Sequence, residues 1–353
     1  MLAAEPKVAN SGAEDSGSAH SNLNPSWKLL VGPLEPFLHT VERQLLLQAH
    51  DFDPRIVPYA QYALNGNGKH LRPTLVALAA NAVGKVSNVH VTAAVIIEMV
   101  HLATLVHDDV MDEAEIRRGK LTLAANWGNE IAVLFGDCLF AQALKLAASF
   151  PTPEVCRAVA IATNTVCTGE ILQTQHRRNF EISRREYFRV IEMKTAELFN
   201  LSCDLAAFLG GADAEHRASL RQFGAAFGTA YQVYDDCVDL FGTEAEAGKS
   251  LGTDLAKGKL TWPVLLAWER SDLSDKKRLE SWIENWRPEH FPLIKELLAR
   301  YETFEPSIEM IVKYLGQARS ALKFLPENAG RDGLLDLTEF LSQQIANLTV
   351  CIV

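Results

Sequence analysis

Long apolar stretches with helical spacing make up most of the chain after residue 26. Residues 91–106, VTAAVIIEMVHLATLV, are too many for a strand and are apolar on nearly every side, as in a helix inside a large bundle. Similar stretches occupy residues 130–149, 154–175, 184–209, 214–241 and 262–270, and shorter helices are expected from residue 276 onward. The pattern predicts an all-α protein with one large domain, residues 27–353.

The first 26 residues are polar, and they lack the basic region and the continuous apolar run of a secretory signal. We therefore expect a disordered polar tail over residues 1–26. Elsewhere, no apolar run of about 18 residues is free of charges and histidine, so no integral membrane span is expected.

Composition narrows the class of protein further. Of the 353 residues, 48% are hydrophobic, which is enough for a substantial core. The formal net charge of −10 argues against a nucleic-acid partner, which would need a basic face. The six cysteines include no CxxC pair, so neither a zinc site nor a disulfide framework is indicated. A reducing, cytoplasmic location is expected.

Two distant segments carry the same acidic motif, DDxxD, beside apolar helical runs. The aspartates are Asp108, Asp109 and Asp112 in the first motif and Asp235, Asp236 and Asp239 in the second. Residues three and four apart share one face of a helix, so each motif gathers carboxylates into one patch. Because packed carboxylates are costly without cations, the motifs favour a divalent metal, and Mg²⁺ suits oxygen ligands and phosphates.

Basic residues accompany both motifs and point to a phosphorylated ligand. They are Lys69, Arg72, Arg117, Arg118, Lys194, Lys249 and Lys259. Carboxylates, a divalent metal and surrounding Arg and Lys side chains together favour a diphosphate.

These motifs in this order resemble the trans-isoprenyl diphosphate synthases, also called polyprenyl synthetases. The similarity covers about residues 68–263 and lies in GKHLRP, EMVHLATLVHDDVMDEAEIRRGK, GNEIAVLFGD, GEILQ, KTAELF, YQVYDDCVDLFG and GKSLGTDLAKGKLTWP. Within the family, the sequence is most similar to bacterial medium- and long-chain synthases such as the octaprenyl diphosphate synthases. The resemblance implies the isoprenoid synthase fold, a helical bundle around a deep central cavity with the two aspartate helices facing each other across its mouth.

The resemblance also implies roles for the matching residues. The six motif aspartates would hold or support about three Mg²⁺ ions on an allylic diphosphate. Contacts to that diphosphate would come from Arg117, Lys194, Thr195, Gln232, Lys249 and Lys259. Contacts to isopentenyl diphosphate would come from Lys69, Arg72, His101 and Arg118. Lys194, Thr195 and Gln232 would also stabilise positive charge at the reacting carbon, and His70 replaces an arginine that is usual in the family.

The implied reaction is a head-to-tail condensation of an allylic diphosphate with isopentenyl diphosphate. Loss of the allylic diphosphate would generate a cation that an apolar cavity shields from water. Attack by the double bond of isopentenyl diphosphate would then add one isoprene unit. The departing diphosphate is expected to take the proton, because no side-chain base stands out.

Product length is expected to depend on the side chains beneath the first motif. Ala103 and Thr104, five and four residues before Asp108, form the expected wall, with Met99 below them and Phe140 on the facing helix. Aromatic residues beneath this motif end elongation early in the family, whereas Ala103 and Thr104 are small. A product longer than farnesyl diphosphate is therefore expected.

Two alternatives remain at this point. A class I terpene cyclase would combine one DDxxD motif with a second metal motif of the asparagine, serine and glutamate type, whereas this chain has DDxxD twice. A non-catalytic subunit of a heteromeric prenyl synthase would typically lack an aspartate motif. The family is usually homodimeric, so a homodimer is expected.

Overall fold

The computed structural model describes residues 25–65, 68–117, 119–244 and 250–350. These residues form a bundle of α-helices with one short antiparallel hairpin, which confirms the predicted all-α fold. The predicted tail lies outside the described residues except for Pro25 and Ser26, which already belong to the first helix.

The first part of the bundle contains α1 (Pro25–Val31), α2 (Glu35–Leu47), α3 (Val57–Leu64), α4 (Leu71–Val83), α5 (Asn88–Met111) and α6 (Leu123–Trp127). Strands β1 (Ile116–Arg117) and β2 (Lys120–Leu121) form the hairpin between α5 and α6. The middle part contains α7 (Asn129–Ala148), α8 (Glu154–Gln175), α9 (Arg184–Ile191), a π-helical turn (Glu192–Ala196), α10 (Glu197–Leu209) and α11 (Ala214–Phe241).

The last part contains α12 (Thr253–Ala256), α13 (Trp262–Arg270), α14 (Leu273–Glu284), α15 (His290–Arg300), α16 (Phe304–Ala321) and α17 (Ala329–Val350). Short 3₁₀ turns cover Gly32–Leu34, Gln48–Asp51 and Leu322–Phe324.

Local capping explains several of these boundaries. Ser183 begins α9 by accepting a hydrogen bond from the Glu186 amide while the Glu186 side chain accepts one from the Ser183 amide. Asp213 caps α11 by accepting from the His216 amide at 2.8 Å. The chain leaves α10 through Gly211, whose φ of +73° is in the left-handed region that favours glycine. The helix therefore ends at Leu209, where the predicted apolar stretch 184–209 also ends.

The core lies between the longest apolar helices. α5 packs against α7, α10 packs against α4 and α11, and α11 packs against α16. Fully buried side chains at these contacts include Ile96, Phe199, Phe223 and Phe227. This packing places the ends of α5 and α11, which carry the two acidic motifs, inside one bundle.

Two glycines let neighbouring helices approach the π-helical turn closely. A Cβ atom at Gly169 of α8 would lie 2.6 Å from the amide nitrogen of Lys194, and one at Gly228 of α11 would lie 2.7 Å from the Ala196 Cα. Real Cβ atoms do not pack this closely, so both positions require glycine. The turn interrupts the helix that the sequence predicts as continuous over residues 184–209.

Three helices, α5, α7 and α8, are long and apolar enough to cross a membrane by length and composition. Each of these helices also contains charged residues or histidine, in agreement with the sequence, and the expectation of no integral membrane span remains a prediction. In α5, 67% of the apolar window is buried inside the bundle, against 39% in α7 and 28% in α8. α7 and α8 therefore expose apolar side chains on the surface of the bundle.

Candidate active site

A central cavity of about 2240 Å³ runs between the helices and is lined by residues of both acidic motifs. Asp108 and Asp112 line it from the end of α5, and Asp235 and Asp236 line it from α11. Asp109 and Asp239 are not among its lining residues. The bundle thus brings four of the six motif aspartates to one cavity.

In the first motif, Asp112 pairs with two basic side chains, whereas Asp108 and Asp109 each pair with one. Its carboxylate accepts from Lys259 Nζ at 2.7 Å and from Arg177 Nη2 at 2.9 Å. Burial by itself would raise the pKa of Asp112, but the charge and hydrogen bond of Lys259 outweigh it and hold that pKa below its ordinary value. The carboxylate is therefore ionised and faces the cavity.

Asp109 is buried and does not line the cavity. Its carboxylate accepts from Arg117 Nε at 2.7 Å, which ties the end of α5 to strand β1. Burial raises the pKa of Asp109 despite the opposing charge of Arg117. In this structure Asp109 therefore acts as an anchor for Arg117, which itself lines the cavity.

In the second motif, Asp236 and Asp239 also contact protein groups. Tyr187 and Gln232 donate to the two oxygens of Asp236, at 2.5 and 2.9 Å. Asp239 accepts from the Thr253 hydroxyl at 2.9 Å and from the Asp254 amide at 3.2 Å, which fastens the start of α12 to α11. Burial, together with the neighbouring charge of Asp254, raises the pKa of Asp236 to about 8.

Lys194, in the π-helical turn, connects several elements around the cavity. Its ammonium lies 3.6 Å from Asp108, donates to Gln173 Oε1 at 2.8 Å and pairs with Glu170. Desolvation alone would lower the pKa of Lys194, but Asp108 and Glu170 reverse the effect and raise it. Lys194 is therefore a partly buried cation beside the first motif.

A chain of hydrogen bonds continues from the same turn into the second motif. The Thr195 hydroxyl donates to Gln232 Oε1 at 2.8 Å, and Gln232 Nε2 donates to Asp236. The orientation of the Gln232 amide follows, because only its nitrogen can donate to a carboxylate. Tyr187, stacked on Trp262, donates to Asp236 from the other side and completes the chain.

A second group of basic residues lines the cavity, two near the start of α4 and one on α5. Lys69, Arg72 and His101 all face it, and the Arg72 guanidinium lies 5.0 Å from the centre of the Phe199 ring. Arg118 and Lys249 lie outside the described residues. Every other predicted diphosphate contact, including Thr195, Gln232 and Lys259, lines the cavity.

The four residues expected to form the wall beneath the first motif differ in their positions relative to the cavity. Thr104 and Phe140 line the cavity, whereas Ala103 and Met99 are fully buried elsewhere in the core. At about 100° per residue, Thr104 lies about 40° around α5 from Asp108, but Ala103 lies about 140° and Met99 about 180° away. His101, about 20° from Asp108, shares its face.

Some cavity groups had no role assigned from sequence. Glu170 and Gln173 contact Lys194, Arg177 contacts Asp112, and Tyr187 contacts Asp236. The spacing of Glu170 and Gln173, three apart on one helix, indicated a shared face. No local pattern marked Arg177 or Tyr187, because their partners are far away in the sequence.

Among the described residues, no three His, Cys, Asp or Glu side chains are arranged to hold a metal by themselves. The cavity nevertheless presents the carboxylates of Asp108, Asp112 and Asp235, which are the hard oxygen ligands that Mg²⁺ prefers. The Lys194 ammonium lies beside Asp108, and the Lys259 ammonium lies beside Asp112. The donor set fits Mg²⁺ that is shared with the oxygens of a bound diphosphate.

Comparison with known proteins agrees with this geometry. The model of the polyprenyl synthetase family matches residues 53–300. The octaprenyl diphosphate synthase of Escherichia coli is 34% identical over 285 residues, covering 80% of this chain and 88% of that protein. Heptaprenyl diphosphate synthase component 2 of Bacillus subtilis is 34% identical over 322 residues, covering 90% and 91%.

A solved structure shares the whole architecture. The polyprenyl synthase of Caulobacter crescentus CB15, crystallised with calcium and isoprenyl diphosphate, superposes with a TM-score of 0.83 at 31% identity. The match covers 93% of this chain and 98% of that one.

Proposed function

This chain belongs to the polyprenyl synthetase family and is a prenyltransferase, and we propose that it condenses an allylic prenyl diphosphate with isopentenyl diphosphate. The observation that carries the proposal is the meeting of both DDxxD motifs at one large cavity, with Lys194 and Lys259 beside the first motif. A terpene cyclase is disfavoured because the second motif retains all three aspartates.

Asp108, Asp112 and Asp235 would hold Mg²⁺, because their carboxylates line the cavity. Mg²⁺ bound there would neutralise the diphosphate and stabilise it as a leaving group. Asp109, Asp236 and Asp239 would support the cluster by holding Arg117, Gln232 and the start of α12 in place. The expected number of ions is about three, as the family resemblance implies.

The residues of this chain would mainly position the substrates and stabilise charge. Lys194 and Lys259 would contact the allylic diphosphate, and Lys69, Arg72 and His101 the isopentenyl diphosphate. The Thr195 hydroxyl donates a hydrogen bond to Gln232 Oε1, so the lone pairs of the Thr195 oxygen stay available to an allylic cation. The departing diphosphate would accept the proton that is lost in the condensation.

We propose a product longer than farnesyl diphosphate. The cavity volume of about 2240 Å³ and the small Thr104 side chain beneath the first motif both support a long chain. The names of the relatives point the same way, since one is an octaprenyl and one a heptaprenyl synthase.

We propose that the protein acts as a homodimer through α7 and α8. Both helices expose large apolar side chains that do not line the cavity, with Leu134 of α7 61% and Ile161 of α8 59% exposed. A heteromeric assembly is the alternative suggested by the name of the Bacillus relative, a component 2. Light scattering of the purified chain distinguishes the two, because a homodimer forms without a partner and a heteromer does not.

A cytoplasmic location fits the five described cysteines, none of which forms a disulfide.

The test is incubation of the purified chain with Mg²⁺, labelled isopentenyl diphosphate and geranyl, farnesyl or geranylgeranyl diphosphate, followed by chain-length analysis. We expect Asp108→Asn and Asp235→Asn each to reduce condensation by at least about 100-fold, since each removes a charged ligand. Asp53→Asn, which alters only an exposed pair with Arg55, is the matched control and should retain activity. No condensation by the wild-type chain alone, or full activity of either motif variant, would contradict the proposal.

A further inference from the structure

A histidine between two glutamates lies beside Lys69 and Arg72. His70 Nε2 is 3.2 Å from Glu42 Oε1 on α2, and His70 Nδ1 is 3.8 Å from Glu98 Oε2 on α5. All three side chains line the central cavity, and the His70 and Glu98 side chains are only 13% and 10% exposed. The segment that begins α4 is thus held between two other helices through one imidazole.

The backbone at His70 is also unusual. Its φ of +45° lies in the left-handed region, which is uncommon for residues other than glycine. Thr74 fixes this conformation by donating both its amide and its hydroxyl to the His70 carbonyl, each at 2.9 Å. Backbone strain of this kind persists where the surroundings impose it, and it is often found at functional sites.

We propose that His70 is a positioning residue for isopentenyl diphosphate, whose positive charge offsets Glu42 and Glu98 and thereby couples the affinity for this substrate to pH. The inference rests on the proposed function, which assigns Lys69, Arg72 and His101 to that diphosphate. When the imidazole is charged, the cluster of one cation and two carboxylates has a net charge of −1. When it is neutral, two carboxylates remain uncompensated beside a site for an anion.

The electrostatics around His70 support this coupling. The titratable and charged groups that share this part of the cavity are His39 and Glu42 from α2, Lys69 and Arg72 from the α4 segment, and Glu98 and His101 from α5. The hydrogen bond and charge of His70 hold the pKa of Glu42 below its ordinary value, although burial opposes this. Carboxylates on both sides favour the charged imidazolium.

The sign of the effect follows directly. Histidine loses its charge between about pH 5 and 8 in proteins, so the offset is complete at low pH and disappears as the pH rises. Binding of isopentenyl diphosphate should therefore weaken with rising pH. The allylic diphosphate, held at the aspartate motifs, provides the internal reference, because both substrates carry a diphosphate that titrates in the same range.

The experiment measures the ratio of the KM for isopentenyl diphosphate to the KM for the allylic substrate in the full-length enzyme. In the wild type we expect this ratio to rise roughly three- to tenfold between about pH 6 and about pH 8. His70→Arg carries a permanent charge and should keep the ratio low at both pH values. His70→Gln carries none and should show a raised ratio at both.

His216→Gln is the matched control. His216 also pairs with a carboxylate, Asp213 at 2.9 Å, but it lies at the start of α11, far along that helix from Asp235. This variant should retain the wild-type rise.

If His70 had only a structural role, His70→Arg and His70→Gln would change the KM ratio, but the ratio would still depend on pH in both variants. A flat ratio in the wild type, or a rise in His70→Arg or His70→Gln as steep as in the wild type, would overturn the inference. Complete absence of condensation in the wild type would instead refute the proposed function.

Discussion

Substitution of Thr104 by phenylalanine tests which side chain limits the product. Thr104 lies on α5 four residues before Asp108, about 6 Å along the helix axis, and it lines the cavity. One helical turn, about 5.4 Å, is roughly the length of one isoprene unit. A phenyl ring at Thr104 would therefore occupy the space that a growing chain enters soon after it leaves the first motif.

The magnitude follows from packing. Forcing a chain past an added ring in a filled space costs about 1–3 kcal/mol. At about 1.4 kcal/mol per factor of ten, each addition beyond the ring is slowed roughly 5- to 150-fold. Product of Thr104→Phe should accumulate near the farnesyl or geranylgeranyl stage, whereas the wild type continues.

The assay extends labelled isopentenyl diphosphate on geranyl diphosphate, removes the diphosphate from the products and separates the alcohols by chain length. Thr104→Val is the matched control: it keeps the size but removes the hydroxyl that donates to the His101 carbonyl at 2.7 Å. Its product should match the wild type. An unchanged distribution in Thr104→Phe would refute the cavity argument, and shortening in Thr104→Val would assign the effect to the hydroxyl rather than to size.

Two further predictions concern how the site is held. Tyr187→Phe removes a hydrogen-bond donor from the buried Asp236, so the free energy of unfolding in urea should fall by about 1–3 kcal/mol. In the same variant kcat should fall more than either KM rises. Unaltered stability and kcat would exclude this role of Tyr187. Gly228→Ala places a Cβ 2.7 Å from the Ala196 Cα. It should lower the free energy of unfolding, measured in urea, by about 1–3 kcal/mol, and it should also reduce activity. Gly316→Ala meets open space and should gain about 0.5–1 kcal/mol, so equal effects of the two alanines would contradict the packing argument.

Much of the fold follows from patterns that are local in the sequence. The boundaries of α8, α11 and α13 agree with the predicted stretches because each is set by a continuous apolar face and a nearby cap or break. The interruption at Glu192–Ala196 was not predictable, because it depends on the approach of Gly169 and Gly228 from other helices. The two-residue strands are too short for any periodic signal.

The acidic motifs identified the site, but sequence alone did not separate the aspartates that face the cavity from those that anchor it. Asp109 is distinguished from Asp108 by its contact with Arg117, and Asp239 by its contact with Thr253 at the start of α12. Neither contact follows from helical spacing, because each partner lies beyond the end of the helix that carries the aspartate. The positions of Ala103 and Met99, by contrast, follow from helix geometry alone, since about 100° per residue turns both away from Asp108.

The central claim is that both acidic motifs bind one diphosphate through shared divalent ions. The most direct measurement is calorimetric binding of inorganic pyrophosphate with and without Mg²⁺ to the wild type, Asp108→Asn and Asp235→Asn. We predict Mg²⁺-dependent binding in the wild type and its loss in each variant, because ligands from both helices are required. Mg²⁺-dependent binding of wild-type strength in either variant would contradict the claim.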